Sequence, residues 1–268
     1  VTTDTLFRQA DAGWQRPPLE AVAGQVATDV IDTVKAAAKR APRSLQASVG
    51  PSELGTPCTR RLAYKLLDWP NKPNDDTDPW TSVIGTSVHA WMAAAFEEEN
   101  AQAGEQRFLI EHRVHLPMRI SGSCDLYDRQ LGQVIDWKVT SPQNIAKYRK
   151  NGPGRQYQAQ AHLYALGMQL AGEKPRDVAI CFLPRGGRID GLHVWSEPYQ
   201  PRIAVDAIRR YEATMLALVQ LDVEQYPERW ELFPTGDAYC LFCPFHLPGS
   251  ADLSQGCPGH NAHPSKEK

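Results

Sequence analysis

The spacing of apolar residues changes several times along the chain, and each change marks an element. Residues 17 to 41 open on Pro17 and Pro18 and continue alanine-rich, which predicts a helix. "CTRRLAYKLL", 58 to 67, predicts a second, shorter helix. From 80 to 100 the apolar residues Val83, Ile84, Val88, Trp91, Met92, Ala95 and Phe96 recur at helical spacing. The period then falls to two. Runs near 107–117, 119–128 and 132–139 alternate apolar and polar with short turns between them, which predicts an antiparallel meander. A polar, basic stretch over 140–154 reads as a loop, and 155–171 as a helix. "DVAICFLPR" and "GRIDGLHVW" read as two strands joined at a Gly-Gly turn, followed by a long helix over 200–222. From 233 the chain is rich in cysteine, proline and glycine. The order predicts a mixed α/β domain with helices on both sides of its sheet.

One hairpin in that order concentrates charge. In "GSCDLYDRQLGQVIDWK", residues 122 to 138, the turn at 129–132 separates a run with Asp125 from a run with Asp136 and Lys138. Alternation puts Asp136 and Lys138 on one face of their strand and Ile135, Trp137 and Val139 on the other. It also points Asp125 away from Cys124 and Leu126. Pairing across the turn would bring Asp125 and Asp136 together. Two close carboxylates repel unless a cation lies between them, and hard oxygen ligands suit Mg²⁺ or Mn²⁺. Lys138, charged and so no ligand, could orient or deprotonate a water or steady developing negative charge.

Other positions gain meaning from that hairpin. His89, on the helix before the sheet, becomes a third metal ligand, and Gly85 and Thr86 one turn earlier would let another element come close. Gln160 and Tyr164 stack on one face of their helix, with Gln156 extending the stripe. Between 138 and 155 stand Lys138, Lys147, Arg149, Lys150 and Arg155, with Tyr148 among them and no acid. Arg60, Arg61 and Lys65 make a second basic group. Phosphate contact is the functional reading of both, and solvated charge the plain one.

Composition narrows the class. The 268 residues suffice for one large domain, and 42% hydrophobic with 22% charged residues is ordinary for a globular protein. The formal net charge of −2 means that any polyanion must be met by local positive charge. No apolar run approaches a membrane span and "VTTDTLFRQADAGW" has no signal pattern, so the expectation is a cytoplasmic protein with no membrane partner. Without a secretory context the six cysteines point to metal or core roles. Cys124 and Cys181, in strand-like runs, read as buried thiols. Cys240 and Cys243 form a Cys-x2-Cys pair with Cys257 beyond it; three thiolates want a fourth, and Cys58 is the candidate. Four thiolates fit structural zinc or an iron–sulfur cluster, and spacing does not choose between them.

Taken in order, "SELGTPCTRRLAYK", "GTSVH", "GSCD", "DWK", "QAHLY" and the terminal "CLFC…CP" resemble the motifs of RecB-like PD-(D/E)XK nucleases. The resemblance is to their iron–sulfur branch, which includes the CRISPR-associated Cas-four exonucleases, the AddB nuclease domain and related phage exonucleases. It spans roughly residues 52 to 258. It implies a restriction-endonuclease-like core, a mixed central sheet flanked by helices, over 51–232. It also implies a cysteine-rich closing segment over 233–260, while outside it the chain reads as a helical extension over 1–50 and a disordered tail over 261–268. His89, Asp125 and Asp136, with the backbone carbonyl of Trp137, would hold Mg²⁺ or Mn²⁺. Lys138, Gln160 and Tyr164 would complete the catalytic set, and Cys58, Cys240, Cys243 and Cys257 would hold a 4Fe–4S cluster. The implied activity is hydrolysis of single-stranded or end-processed DNA, with a helicase or other recombination or CRISPR proteins as partners. The rival readings are a structure-specific endonuclease subunit and a non-catalytic metal-cluster module that binds DNA.

Overall fold

A computed structural model describes residues 18–41, 49–74 and 78–260. The expected disordered tail lies outside the described residues. The chain divides into two units. Among the described residues the first contains helix α1 (Leu19–Arg40), which begins directly after Pro18, and Asp78–Trp80.

The second unit is built around five strands in the order β1 (Phe108–His115), β2 (Ser121–Asp128), β3 (Gln133–Thr140), β4 (Asp177–Pro184) and β5 (His193–Pro198). The pairs β1–β2 and β2–β3 are antiparallel, the meander that the alternation predicts. The pair β3–β4 is parallel, which requires a crossover, and helices α5 (Pro142–Asn151) and α6 (Arg155–Leu170) supply it. On one sheet face Leu126, Trp137, Cys181 and Leu183 pack with Val88, Met92 and Phe96 of the preceding helix, α4 (Trp80–Ala103). The other face is covered by α6 (Arg155–Leu170), whose Ala161, Tyr164, Ala165 and Met168 are buried against Val134, Val178, Ile180 and Phe182. Cys124 and Cys181 are buried, as their runs predict.

Behind α6 lie the short helices α2 (Pro51–Leu54) and α3 (Thr59–Leu66) and the long α7 (Pro201–Leu221), joined through Leu54, Leu62, Leu163, Ala204 and Ile208. The cysteine-rich end folds onto α3. Tyr64 stacks on Phe245 at 4.8 Å and lies 4.1 Å from Trp230. The indole of Trp69 and the amide of Asn71 both donate to the Ser254 carbonyl, each at 2.8 Å.

Three expectations need correction. The basic stretch expected as a loop over 140–154 contains helix α5 (Pro142–Asn151). Its signals are short but complete: Ser141 Oγ accepts from Asn144 N at 3.3 Å, Pro142 starts the first turn, and Gly152 ends the helix at φ +74°. Only Ile145 is buried, too little apolar content for a visible period. Next, β4 and β5 are not joined by a two-residue turn. Their pairing ends at Phe182 and His193, because β4 runs on beside β3 as far as Pro184 and residues 189–191 form a 3-10 turn. Finally, Cys124 and Leu126 do not share a face. Cys124 belongs to the core under α6 and Leu126 to the core under α4. The strands exchange faces where Asp125 stands across from Glu111, whose φ of +46° turns the backbone of β1.

Candidate active site

The exchange of faces positions the acids. The β2–β3 register runs Asp128–Gln133, Tyr127–Val134, Leu126–Ile135, so one further step sets Asp125 opposite Asp136. The backbone ladder stops there. Asp125 replaces it with its side chain, Oδ2 accepting from Trp137 N at 2.8 Å. Asp125 Oδ1 lies 3.5 Å from Nδ1 of His89, whose Nε2 donates to the Trp137 carbonyl at 3.2 Å. Residues from α4, β2 and β3 thus meet at one point.

Asp136 is the most enclosed acid of the group, 2% exposed. Its Oδ1 accepts from Gln160 Nε2 at 2.8 Å, and its Oδ2 pairs with the Lys138 ammonium. Burial pushes its pKa up to about 6 and the charge of Asp125 adds to that, while Lys138 and His89 pull the other way. For His89 burial acts to lower the pKa, but the hydrogen bond to Asp125 and its charge outweigh it, and the net shift is upward. The Lys138 ammonium lies 5.2 Å from the centre of the Tyr157 ring, a neighbour that the sequence pattern did not single out. Tyr164 is buried beside Gln160, and burial first, then the charges of Asp136 and Asp125, drive its phenol pKa well up. Gly122 is required here: a Cβ would meet Pro51 Cδ at 2.8 Å and Tyr164 Cε1 at 3.3 Å.

Not every expected neighbour arrives. Gln156, at the end of the Gln160–Tyr164 stripe, donates instead to the Ser52 carbonyl at 2.9 Å. Gly85 faces open space: among the described residues nothing lies within 4 Å of where its Cβ would be. A residue absent from the expected set does arrive. A carboxylate oxygen of Glu111, a ring nitrogen of His89 and a carboxylate oxygen of Asp125 all lie within 4.8 Å of one another. Glu111 interrupts the alternation of its strand, so its side chain could not be placed by counting.

The residues read as phosphate contacts separate into two sets. Lys147, Arg149 and Lys150 are exposed on α5, and Arg155 is exposed at the start of α6. Tyr148 is half-buried, its ring stacked 4.2 Å from that of Phe182. Arg60 donates to the carbonyls of Trp230 at 3.1 Å and Glu231 at 3.3 Å, and Arg61 to that of Ala238 at 3.0 Å. Both guanidinium groups therefore tie α3 to the cysteine-rich end.

At that end Cys58, Cys240, Cys243 and Cys257 line one cavity with Tyr64, His246 and His260. Backbone N–H groups already point at two sulfurs, Arg61 N at Cys58 Sγ (3.4 Å) and His260 N at Cys240 Sγ (3.3 Å). The Arg60 guanidinium lies 3.7 Å from Cys257 Sγ. Among the described residues no three of these thiols lie within 4.8 Å of one another. No described helix is long and apolar enough to cross a membrane.

No protein-family model and no curated protein matches the chain. Among solved structures it is similar to LHK-Exo in complex with dAMP, at 13% identity and a TM-score of 0.43, over 67% of this chain and 95% of that one. It is also similar to a phage-related exonuclease from Haemophilus somnus 129PT, at 16% identity and a TM-score of 0.41, over 62% and 82%. A structure of the alkaline exonuclease LHK-Exo from Laribacter hongkongensis gives 12% identity and a TM-score of 0.40, over 67% and 95%.

Proposed function

We propose that this protein is a divalent-metal-dependent deoxyribonuclease of the RecB-like PD-(D/E)XK kind, degrading DNA from free ends. One observation supports this reading above the rest. His89, Asp125, Asp136 and Lys138, separated in sequence and carried by three elements, meet at one point, and Gln160 reaches in to hold Asp136. A surface salt bridge needs no such convergence.

His89, Asp125 and Asp136, beside the Trp137 carbonyl, would hold Mg²⁺ or Mn²⁺. The donor chemistry fits a hard cation. Asp136 Oδ2 is fully buried, and the group facing it is the Lys138 ammonium. When bound, such an ion polarises a phosphoryl oxygen and lowers the pKa of an attacking water. Trp137 N fixes Asp125 and Gln160 fixes Asp136, which turns Asp125 Oδ1 toward His89 and Asp136 Oδ2 toward Lys138. Lys138 is placed to hold the water or to neutralise charge that develops on the phosphate. The exposed cations of α5 would guide the strand through its backbone, independent of sequence.

The same reading assigns the four cysteines a 4Fe–4S cluster with a structural task. A single tetrahedral ion with metal–sulfur bonds of about 2.3 Å would hold its sulfurs less than about 4 Å apart. Among the described residues no three of these thiols come within 4.8 Å of one another. N–H groups directed at sulfur are a usual feature of iron–sulfur ligation.

The test is digestion of end-labelled linear and circular single-stranded DNA with Mg²⁺ or Mn²⁺. Linear strands should be degraded, circles spared and EDTA should stop the reaction. Asp125→Ala, Asp136→Ala and Lys138→Ala should each lower the rate at least about a hundredfold, Lys138→Ala without loss of metal. Activity that survives EDTA, or all three substitutions, would overturn the proposal, and cleavage of the circle would make the enzyme an endonuclease.

A further inference from the structure

We propose that the turn over 239–242 is a platform on which unpaired bases of a DNA strand stack, at the outer end of a lane of aromatic and cationic side chains that leads to Lys138. The proposal rests on the nuclease reading for the choice of DNA as occupant and on the geometry for the platform itself.

The turn exposes what a folded chain usually buries. Tyr239 is 57% exposed, Leu241 76% and Phe242 72%, three large apolar side chains within four residues. Single apolar residues at a surface are ordinary, but a contiguous group marks a contact. Cys240 and Cys243, between and beside them, line the cysteine cavity instead. The backbone closes the turn by itself, Phe242 N donating to the Tyr239 carbonyl and Cys243 N to the Cys240 carbonyl, each at 2.9 Å. Tyr239 holds φ +51°, in the left-handed region, which costs a bulky residue and costs glycine nothing. Burial does not explain a tyrosine at that position, since the residue is exposed.

The neighbouring elements select the occupant. Lys147 of α5 donates to the Tyr239 hydroxyl at 3.3 Å, with its ammonium 5.5 Å from the ring centre. The ring of Tyr148, the next residue on α5, lies 6.1 Å from that of Tyr157 on α6. The Tyr157 ring in turn lies 5.2 Å from the Lys138 ammonium. Aromatic rings and ammonium groups thus follow one another from the candidate active site, across α6 and α5, to the cysteine-rich end. Asp237 lies near Lys147 and offsets part of its charge, but Arg149 and Lys150 stand exposed on the same helix. A duplex keeps its bases inside and offers such a surface only phosphates. A single strand offers both, phosphates to the cations and a π-face to each ring. An apolar protein partner would match Leu241 and Phe242 but not the cations that follow.

The experiment compares two labelled single strands of equal length and charge, one with bases and one abasic, bound to the full chain in EDTA and followed by fluorescence anisotropy across salt concentrations. Wild type should bind the base-bearing strand about tenfold more tightly than the abasic one. Tyr239→Ala and Phe242→Ala should each remove most of that preference, leaving abasic-strand affinity and the salt slope unchanged. Tyr239→Phe, which keeps the ring, should retain the preference, and so should Val219→Ala, at an exposed apolar residue of α7. Equal binding of the two strands by wild type would overturn the proposal, and this comparison needs no variant to fold. A preference that survives both alanine variants would overturn it as well. So would unchanged DNA affinity in Phe242→Ala with a shift from dimer to monomer in sedimentation, which would make the turn a contact between copies of this chain. The cleavage assay separates the two readings. Wild type that prefers bases through Tyr239 and Phe242 but cuts no DNA would leave the platform and remove the nuclease. Wild type that cuts DNA but binds both strands alike would do the reverse.

Discussion

Asp136 shows how much one side chain inherits from its surroundings. Its sequence neighbours place it on a strand, but its acidity is set by burial, by Asp125 and by Lys138. With its pKa raised to about 6, the folded metal-free protein holds this proton more tightly than the unfolded chain does. That contribution to stability is present below the ordinary carboxylate range and is lost as pH rises through about 6. A cation needs the ionised form, so the proton and the metal compete. Mn²⁺ affinity should level off at alkaline pH, where His89 has also lost its proton, and fall about tenfold per pH unit below 6, more steeply where His89 keeps its proton. Calorimetry at pH 5, 6, 7 and 8 measures this, and a flat profile would remove Asp136 from the site. The pairing of Asp125 with Asp136 was legible from strand parity and a four-residue turn. Glu111 was not legible, because a single residue at positive φ resets the parity on which such counting depends.

At the scale of elements, the meander and the helices over 80–100, 155–171 and 200–222 follow from periodicity, since each has an apolar face to bury. Helix α5 has almost none, and only its cap residues betray it. Its role gives a prediction of its own. Neutralising Lys147, Arg149, Lys150 and Arg155 together should weaken DNA binding about equally for all sequences and make its salt dependence shallower. Unchanged affinity and slope in titrations across salt concentrations would leave α5 as solvated surface. Helix α6 answers to packing over propensity. By propensity alone Gly167→Ala in its interior should stabilise the protein by about 1 kcal/mol. A Cβ at Gly167 would, however, lie 2.5 Å from Val114 Cβ on β1. The overlap should cost about 1–3 kcal/mol instead, lower the melting temperature, and be relieved by adding Val114→Ala. Thermal unfolding of the single and double variants decides which effect wins.

At the scale of the whole molecule, α3 and the cysteine-rich end are held together across almost the full length of the second unit. Arg60 and Cys257, 197 residues apart, lie side by side, and Tyr64, Trp69, Trp230 and Phe245 fill the space around them. A cluster on Cys58, Cys240, Cys243 and Cys257 would close that long loop and constrain the unfolded chain strongly. Cys58→Ser and Cys257→Ser should therefore remove iron and sulfide, lower solubility and lower the melting temperature by several degrees or more. Cys124→Ser and Cys181→Ser, at thiols buried in the sheet, should keep the metal content. Anaerobic purification with iron and sulfide analysis and a visible spectrum measures the outcome. A colourless protein with one zinc and no sulfide would replace the cluster by a single ion and leave the nuclease proposal standing.

The sequence by itself determined which segments fold as helix or strand wherever an apolar period runs long enough, that β1, β2 and β3 form a meander, and which residues of the hairpin could meet. These are local consequences of side-chain periodicity and turn chemistry. Only the tertiary structure decided that β3 and β4 run parallel, that Arg60 and Arg61 serve the chain end, that Gln160 and not Gln156 reaches Asp136, and that Glu111 joins His89 and Asp125. Each of these depends on where a distant segment comes to rest. A contact between residues far apart in sequence leaves no period in the chain. It is fixed by which buried faces fill one another and by which buried polar atoms then find a partner.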